Sequence, residues 1–298
     1  MSRKKKLFGT AIALGAALMM SACSNGAGDA ADAAKGSEGN PIKIGVVGAS
    51  DPQWPLFEAA AEKEGIYVDL VNFTDYPNIN TALTDGELDL NQFQHIQYLA
   101  AYNVNSNEDL TPIGATAIYP MGVYSNQYSS LEEIPQGGEV TVPNDATNQS
   151  RAIQLLADAG LVTLVDNPPA VLAPTSIDEA NSKVKVTPVD ANNVVTAIDS
   201  VAATVVNNDY LKDAGLKATD AIYLESADSE GAAPYINIWV ARAEDAHNET
   251  YLKLVEINKQ QEILDAIQDN SDGSAIFSDA TPAELADILA DQQKLVTE

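Results

Sequence analysis

Short apolar runs rich in β-branched residues alternate along the chain with longer stretches in which apolar residues recur at helical spacing. Residues 42–47 and 67–73 have the length and composition of buried strands, and residues 55–64 between them have the pattern of a helix. A second helix is predicted from residue 82 onward. Strands that alternate with helices predict an α/β fold built on largely parallel sheets.

The strand–turn–helix pattern begins again in the middle of the chain. Residues 139–142 predict a strand, and the helix after it is predicted to end at Ala159, with Gly160 as its C-terminal stop. Further strands are predicted at 183–189 and 202–206. This restart indicates a second folding unit.

Two helices are predicted to close the chain, a long one over 244–268 and another over 282–296. The last helix begins with Thr281 as N-cap, Pro282 at its first position and Glu284 as the acid of a capping box. These residue types suit a first helical turn, whose N–H groups have no partners within the helix.

Two long extended runs, 115–124 with Pro120 inside it and 235–241, are predicted to connect the two units as paired crossover strands. Such a chain leaves one lobe, builds the other and returns. The cleft between the lobes then closes on a small ligand by hinge motion. The expected lobes are residues 41–120 with 236–298, and residues 121–235.

Residues 1–23 predict an export signal. Basic residues at 3–6 precede an apolar segment, 7–20, which is too short for a comfortable membrane span. The run M-M-S-A-C, which ends at Cys23, resembles the lipobox after which bacterial lipoproteins are cleaved and acylated on the new N-terminal cysteine. Cys23 is the only cysteine, so lipidation would explain a thiol without a disulfide partner. The alternative is a plain secretory signal with an incidental cysteine.

The segment after the signal, residues 24–40, consists mostly of small and polar residues. Such a composition cannot bury enough apolar surface to offset the entropy of ordering, which predicts a flexible tether. The folded body is expected to begin near Pro41 and is long enough for one large or two modest domains.

The chain is strongly acidic, with 16 Lys and Arg against 43 Asp and Glu, and four of the basic residues lie in the predicted signal. This balance argues against nucleic acid as a partner, because binding to phosphates needs a basic surface. It also argues against adhesion to anionic lipid, which leaves the acyl group as the expected membrane contact.

Arg151 is one of two arginines after the signal, and it ends the run P-N-D-A-T-N-Q-S-R where a predicted strand turns into a helix. A planar guanidinium beside the N-terminus of a helix suits the binding of a carboxylate. The alternative is a surface arginine that pairs with a neighbouring acid.

A second run, D-L-N-Q-F-Q-H-I-Q-Y-L at residues 89–99, places Phe93, His95 and Tyr98 close together. Rings with polar tips form a wall that suits a thioether or another apolar side chain of medium size. Tyr76 follows the second predicted strand, at the end of the sheet where α/β proteins bind ligands. Ordinary core packing of the rings and a purely structural His95 are the alternatives.

Two asparagines lie in apolar segments, Asn207 at the end of a predicted strand and Asn237 within the second crossover run. A buried amide needs hydrogen-bond partners, and the ammonium and carboxylate groups of a ligand are suitable ones. The alternative is an asparagine in a turn or bulge.

No G-x-S-x-G, H-E-x-x-H or Cys/His cluster is present in the sequence, so we expect no enzyme activity, no metal and no cofactor.

Six segments carry a resemblance to a known family: F-T-D-Y (73–76), N-Q-F-Q-H-I-Q-Y-L (91–99), I-Y-P-M-G-V-Y-S (118–125), P-N-D-A-T-N-Q-S-R (143–151), V-V-N-N-D-Y (205–210) and A-P-Y-I-N-I-W-V (233–240). They run through the folded body in order. Together they resemble the NlpA/MetQ family of methionine-binding lipoproteins, which are the substrate-binding components of methionine importers.

The resemblance implies a two-lobed α/β fold like that of periplasmic binding proteins, with L-methionine in the cleft. Arg151 would bind the α-carboxylate, and Asn207 and Asn237 would hold the amino-acid backbone. The side-chain pocket would be formed by Tyr76, Phe93, His95 and Tyr98.

Some positions depart from the family pattern. Ala146 and Gln97 stand where Pro is frequent, Ser150 stands where Gly is frequent, and Val194 with Val195 replaces a Pro-Arg pair. These departures remove none of the implied contacts, but they leave room for a shifted ligand preference.

The resemblance also implies a lipid-anchored monomer on the extracytoplasmic face of the cell membrane. It would deliver methionine to an ABC permease that works with a separate ATPase. Another apolar amino acid, a methionine-containing dipeptide, oxidised methionine and the D-enantiomer remain open as ligands. Two alternatives belong to other functional classes: a surface lipoprotein without a transport role and an extracytoplasmic enzyme.

Overall fold

The computed structural model describes residues 33–226 and 231–297. The predicted export signal, Cys23 and the first part of the predicted tether lie outside these residues. The strands are β1 (Ile42–Val47), β2 (Val68–Phe73), β3 (Leu90–His95), β4 (Thr111–Ala115), β5 (Ala117–Ile118), β6 (Gly122–Tyr124), β7 (Gly138–Pro143), β8 (Val184–Val189), β9 (Ala203–Val206), β10 (Tyr223–Leu224), β11 (Asn237–Ala241) and β12 (Ile276–Phe277). The α-helices are α1 (Gln53–Lys63), α2 (Ile79–Thr84), α3 (Ile96–Ser106), α4 (Ala146–Asp158), α5 (Glu249–Asn258), α6 (Gln261–Asn270) and α7 (Pro282–Thr297). No helix in the described ranges has the length and apolar character needed to cross a bilayer.

The first sheet has the strand order β2-β1-β3-β11-β4. β1 pairs in parallel with β2 and β3, whereas β11 runs antiparallel between β3 and β4. Side chains alternate along β11: Ile238 packs with α2, α3 and α7 on one face, and Trp239 packs with α1, α5 and α6 on the other. The sheet is therefore covered by helices on both faces, which explains the mostly apolar sequences of β1 and β11.

The second sheet has the order β10-β6-β9-β7-β8. β7 pairs in parallel with β8 and β9, while β6 is antiparallel to β9 and β10. Val140 and Val142 of β7 pack against Ile153 and Leu156 of α4 in a core of their own. In each sheet four of the five strands thus run in the same direction, and one, β11 in the first sheet and β6 in the second, runs against its neighbours where the chain crosses between sheets.

The two crossover segments are neighbours. The chain leaves the first sheet after β4 and returns in β11, where Ala115 lies opposite Ile238. The N–H of Thr116 donates to the carbonyl oxygen of Asn237 at 2.8 Å, where both segments reach the edge of the sheet. The predicted pairing of the crossover runs is confirmed, and so is the two-lobed α/β fold with a cleft between the lobes.

The first crossover run is not continuously extended. β5 and β6 are separated at residues 119–121, where Pro120 has no N–H to donate to a neighbouring strand. The carbonyl oxygen of Tyr119 is therefore free of the sheets and points to Arg151 of α4, whose Nη2 donates to it at 2.9 Å. The interruption thus helps to build the site described below.

The prediction of a single long helix over 244–268 is wrong. The segment forms α5 and α6, with a break at Lys259 and Gln260. Leu254 and Ile263 are both buried in the same core. In one continuous helix of about 3.6 residues per turn they would lie on opposite faces, so the break is needed to bring both to the first sheet.

The last residues of the predicted tether pack against the body. The N–H of Tyr67 donates to the carbonyl oxygen of Gly36 at 2.8 Å. Lys35 Nζ lies 2.7 Å from the carboxylate of Asp89. The sequence analysis placed the start of the folded body near Pro41. These contacts show that the body begins earlier.

Two helix boundaries predicted from capping residues are confirmed. Thr281 Oγ1 accepts a hydrogen bond from Glu284 N at 3.3 Å, and a Glu284 carboxylate oxygen accepts one from Thr281 N at 2.8 Å. Gly160 follows α4 with a φ of +71°, a left-handed conformation that favours glycine. These contacts are local, which is why the sequence alone could predict them.

Candidate ligand-binding site

One cavity between the lobes is lined by all seven residues predicted for the binding site. The empty space within its outline, open solvent at its mouth included, is about 430 Å³. The seven residues come from different parts of the fold: the loop after β2 (Tyr76), β3 (Phe93 and His95), α3 (Tyr98), α4 (Arg151), the end of β9 (Asn207) and the start of β11 (Asn237).

Aromatic rings form one wall of the cavity. The ring of Tyr76 lies 5.9 Å from that of Phe93 and 6.0 Å from that of Tyr98, and the last two are 5.7 Å apart. Tyr210 extends the wall, with its ring 5.3 Å from that of Tyr76. These rings are packed as a core, and those of Tyr76, Phe93 and Tyr98 also line the cavity. The wall suits an apolar or thioether side chain, because sulfur packs favourably at ring edges.

His95 fixes the start of α3 and stays uncharged. Its Nδ1 accepts a hydrogen bond from the N–H of Tyr98 at 3.1 Å, as the N-cap of the helix. Its Nε2, which therefore carries the proton, donates to Asn148 Oδ1 at 3.3 Å. Burial lowers the pKa of His95 to about 3, and the charge of Arg151 adds to the effect. The imidazole is thus a neutral donor at physiological pH.

Arg151 is only 4 % exposed, so it is not a surface arginine, although it does pair with an acid, as that alternative held. It lies on α4, whose N-terminus is capped by Asp145 through a 2.9 Å hydrogen bond from Asn148 N. The guanidinium also lies over the ring of Tyr235, with 4.1 Å between its central carbon and the ring centroid. Helix and ring together hold the charge at the cavity wall.

A carboxylate of the protein itself already pairs with Arg151. The Nε of Arg151 donates to Glu225 Oε1 at 2.9 Å, and its Nη2 donates to Glu225 Oε2 and to the carbonyl oxygen of Tyr119. Glu225 is fixed in turn by the N–H of Met121. Among the residues that the structure describes, Nη1 makes no hydrogen bond. Nη1 is therefore the nitrogen available to an anionic ligand. A carboxylate can bind this one nitrogen, and not two nitrogens of the planar guanidinium at once.

Amide groups complete the polar side of the cavity. Asn207 Nδ2 donates to Asn148 Oδ1 at 2.9 Å. Asn207 Oδ1 is buried and has no hydrogen-bond partner within 33–226 and 231–297. Asn237 Nδ2 has only a long contact, 3.5 Å, to the carbonyl oxygen of Tyr235. A buried acceptor without a partner is costly unless something donates to it, which points to a ligand group at Asn207.

Among the residues of the site that the sequence analysis missed are Asn148, Tyr235, Glu225 and Asp209. Asn148 could have been found, because it lies three residues before Arg151 and so on the same side of the helix. Tyr235 could have been found at the start of the second crossover run. Glu225 and Asp209 are two of 43 acidic residues, and nothing in their local sequence distinguishes them.

The chemistry of the cavity is that of binding. It presents a buried cation on Arg151, a neutral His95, amides and phenols. Burial raises the pKa of the Tyr98 phenol well above its usual range, so this group stays protonated. Within the described parts of the chain, no cluster of His, Cys, Asp and Glu could hold a metal ion.

Comparisons with known proteins extend over both lobes. A family model for the NlpA lipoprotein matches residues 42–278. The D-methionine-binding lipoprotein MetQ of Salmonella typhi is 35% identical over 244 residues, which cover 80% of this chain and 88% of that protein. The substrate-binding protein of a methionine transporter from Streptococcus pneumoniae has a TM-score of 0.75 and 33% identity, covering 80% of this chain and 95% of that chain. A nutrient-binding protein from Burkholderia cenocepacia, bound to methionine, has a TM-score of 0.73 and 35% identity, covering 80% and 99% of the two chains.

Proposed function

Because the chain belongs to the NlpA lipoprotein family, we propose that it binds methionine outside the cytoplasm and delivers it to the permease of an ABC importer. The observation that carries this proposal is a cavity that combines an aromatic wall with one buried arginine. Proteins named for methionine binding or methionine transport, similar over both lobes, support it. The chain would bind and deliver its ligand rather than transform it.

In this proposal L-methionine is held at both ends. Its carboxylate binds Nη1 of Arg151, and its thioether packs against Phe93 and Tyr98. Asn207 and Asn237 provide amide groups for the amino-acid backbone. Glu225 fixes the guanidinium before the ligand arrives, so that little side-chain ordering is needed on binding.

We also propose that the lobes, 41–120 with 236–298 and 121–235, open and close around the ligand. Polar contacts bridge the cleft: Lys212 Nζ lies 2.9 Å from Asp51 Oδ1, and Ala218 N donates to Asp272 Oδ2 at 3.2 Å. Lys212 is more than half exposed, and exposed ion pairs contribute only about 0–1 kcal/mol. Opening would also break buried and half-buried contacts between the lobes, such as those of His95 with Asn148 and of Tyr76 with Asp209.

Native mass spectrometry of the full chain tests the ligand and the expected monomer together. We expect one protein copy with a bound mass of methionine, which is lost after unfolding and refolding and regained when L-methionine is added. Competition with D-methionine tests the enantiomer. Another amino acid or a methionine-containing dipeptide as the bound mass would keep the class and replace the ligand. If neither methionine nor any amino acid or dipeptide binds the stripped protein, the proposal is wrong.

The membrane anchor is proposed at Cys23. We expect the wild-type protein to stay in the membrane fraction after washing with high salt and to be extracted by detergent, because acyl chains bind through apolar burial. Cys23→Ser removes the acylated atom and is expected to move the protein into the soluble fraction. Recovery of this variant in the washed membranes, in the same proportion as wild type, would contradict the anchor.

A further inference from the structure

Asp209 is the one acidic side chain among the described residues that line the cavity. It follows β9, in a short 3₁₀ turn that begins after Asn207. Its Oδ2 accepts a hydrogen bond from the Tyr76 hydroxyl at 2.8 Å. Within the described ranges no Lys, Arg or His nitrogen lies within 4 Å of its carboxylate, and the nearby Lys212 pairs with Asp51 instead.

A half-buried carboxylate without a cation is unfavourable, because burial removes water from the charge and only one hydroxyl replaces it. A second acceptor without a partner, Asn207 Oδ1, lies two residues earlier in the same turn. Asn207 Oδ1 and the carboxylate of Asp209 are thus two acceptors beside the cavity that no cation of the described residues pairs with, and the second is charged. The complementary group is a primary ammonium, which is a cation with three donors and no acceptor.

We infer that Asp209, together with Asn207 Oδ1, binds the α-ammonium group of the ligand and restricts the site to ligands in which this group is free. The inference rests on the proposed function, since it assigns one end of the amino acid bound by Arg151. The cavity then carries one positive and one negative side chain, which matches a zwitterion. N-acylated and des-amino compounds lack the cation and leave Asp209 without its partner.

Titration of Asp209 gives the site a second signature. Burial raises the pKa of Asp209 to about 6, the Tyr76 hydrogen bond opposes this rise, and Asp51 adds to it. The other groups that face it are phenols, Tyr76, Tyr119 and Tyr210, whose pKa values burial raises further above their usual range. Asp209 is therefore charged above about pH 6 and protonated below it, and an ammonium binds the charged form.

The test is calorimetric titration of the full chain and its Asp209→Asn variant with L-methionine and with 4-(methylthio)butanoate, which is methionine without its ammonium. An asparagine keeps the shape and can still accept from Tyr76. A hydrogen bond between charged groups predicts that the variant binds methionine about 10- to 100-fold more weakly. Its affinity for 4-(methylthio)butanoate should be unchanged or higher.

The same titrations at pH 5 and pH 7.5 add the pH signature. Wild type should bind methionine severalfold more tightly at pH 7.5, and Asp209→Asn should lose this difference. Asp213→Asn is the matched control, because Asp213 is exposed on the same segment and does not line the cavity. It makes the same change of charge and should alter the affinity less than twofold.

The outcomes separate this inference from the proposed function. If wild type binds methionine and Asp209→Asn binds it equally well, or loses both ligands equally, the inference is wrong and the function stands. If wild type binds no methionine under these conditions, the proposed function fails and the inference fails with it.

Discussion

Replacing Arg151 with alanine is expected to weaken methionine binding by about 2–5 kcal/mol, or roughly 30- to 5,000-fold. The guanidinium is the one cation that lines the cavity within the described residues. Its loss would leave the ligand's carboxylate desolvated and unpaired, which is the main part of this penalty. Calorimetric titration with L-methionine measures the change.

The variant also removes the partner of Glu225, so its folding must be measured beside its affinity. Arg242→Ala is the matched control, because Arg242 donates to the carbonyl oxygens of Leu83 and Leu88 and pairs with Asp245, away from the cavity. We expect Arg242→Ala to lose stability and keep its affinity. Arg151→Lys keeps the charge but not the planar geometry, and should fall between wild type and alanine. A folded Arg151→Ala protein with the wild-type dissociation constant would refute the proposed role.

Replacing Trp239 with alanine is expected to lower the free energy of unfolding by about 3–5 kcal/mol. Trp239 is fully buried on β11, which lies between β3 and β4 in the first sheet. Its ring centroid lies 5.4 Å from that of Phe57 and 6.3 Å from that of Trp54, which both belong to α1. Alanine would leave a cavity between sheet and helix. Urea denaturation followed by circular dichroism measures the loss.

Trp239→Phe separates the loss of packing from the loss of the indole N–H. Trp239 Nε1 is buried and, among the residues described, has no hydrogen-bond partner. Phenylalanine fills most of the volume and removes this unsatisfied donor, so the expected loss is less than half that of alanine. Equal losses in both variants would show that packing by the large ring is not what Trp239 contributes.

The sequence located the candidate site better than it located the elements around it. Arg151 stood out because it is one of two arginines after the signal and lies where a predicted strand turns into a helix, and His95 because it lies between two aromatic residues in one short run. The strand and helix that meet at His95 were not assigned, since apolar spacing around it changes from a period of two to a period of 3.6 within a few residues. The sequence analysis also missed the break between α5 and α6. The spacing of Leu254 and Ile263 indicates it, because two core residues at this distance cannot lie on one face of a continuous helix.

By itself, the sequence determined the features whose causes are local: the buried strands, the capping box at Thr281, the glycine stop at Gly160 and the residue types that line the cavity. The tertiary structure decided which charges meet. Glu225 lies 74 residues from Arg151, and Asp209 lies 133 residues from Tyr76. No periodicity or spacing encodes such pairs, because they depend on how two lobes and their crossover strands bring distant segments together. For the same reason the sequence assigned the whole guanidinium to a ligand, whereas the fold gives two of its nitrogens to Glu225 and leaves Nη1 without a hydrogen bond among the described residues.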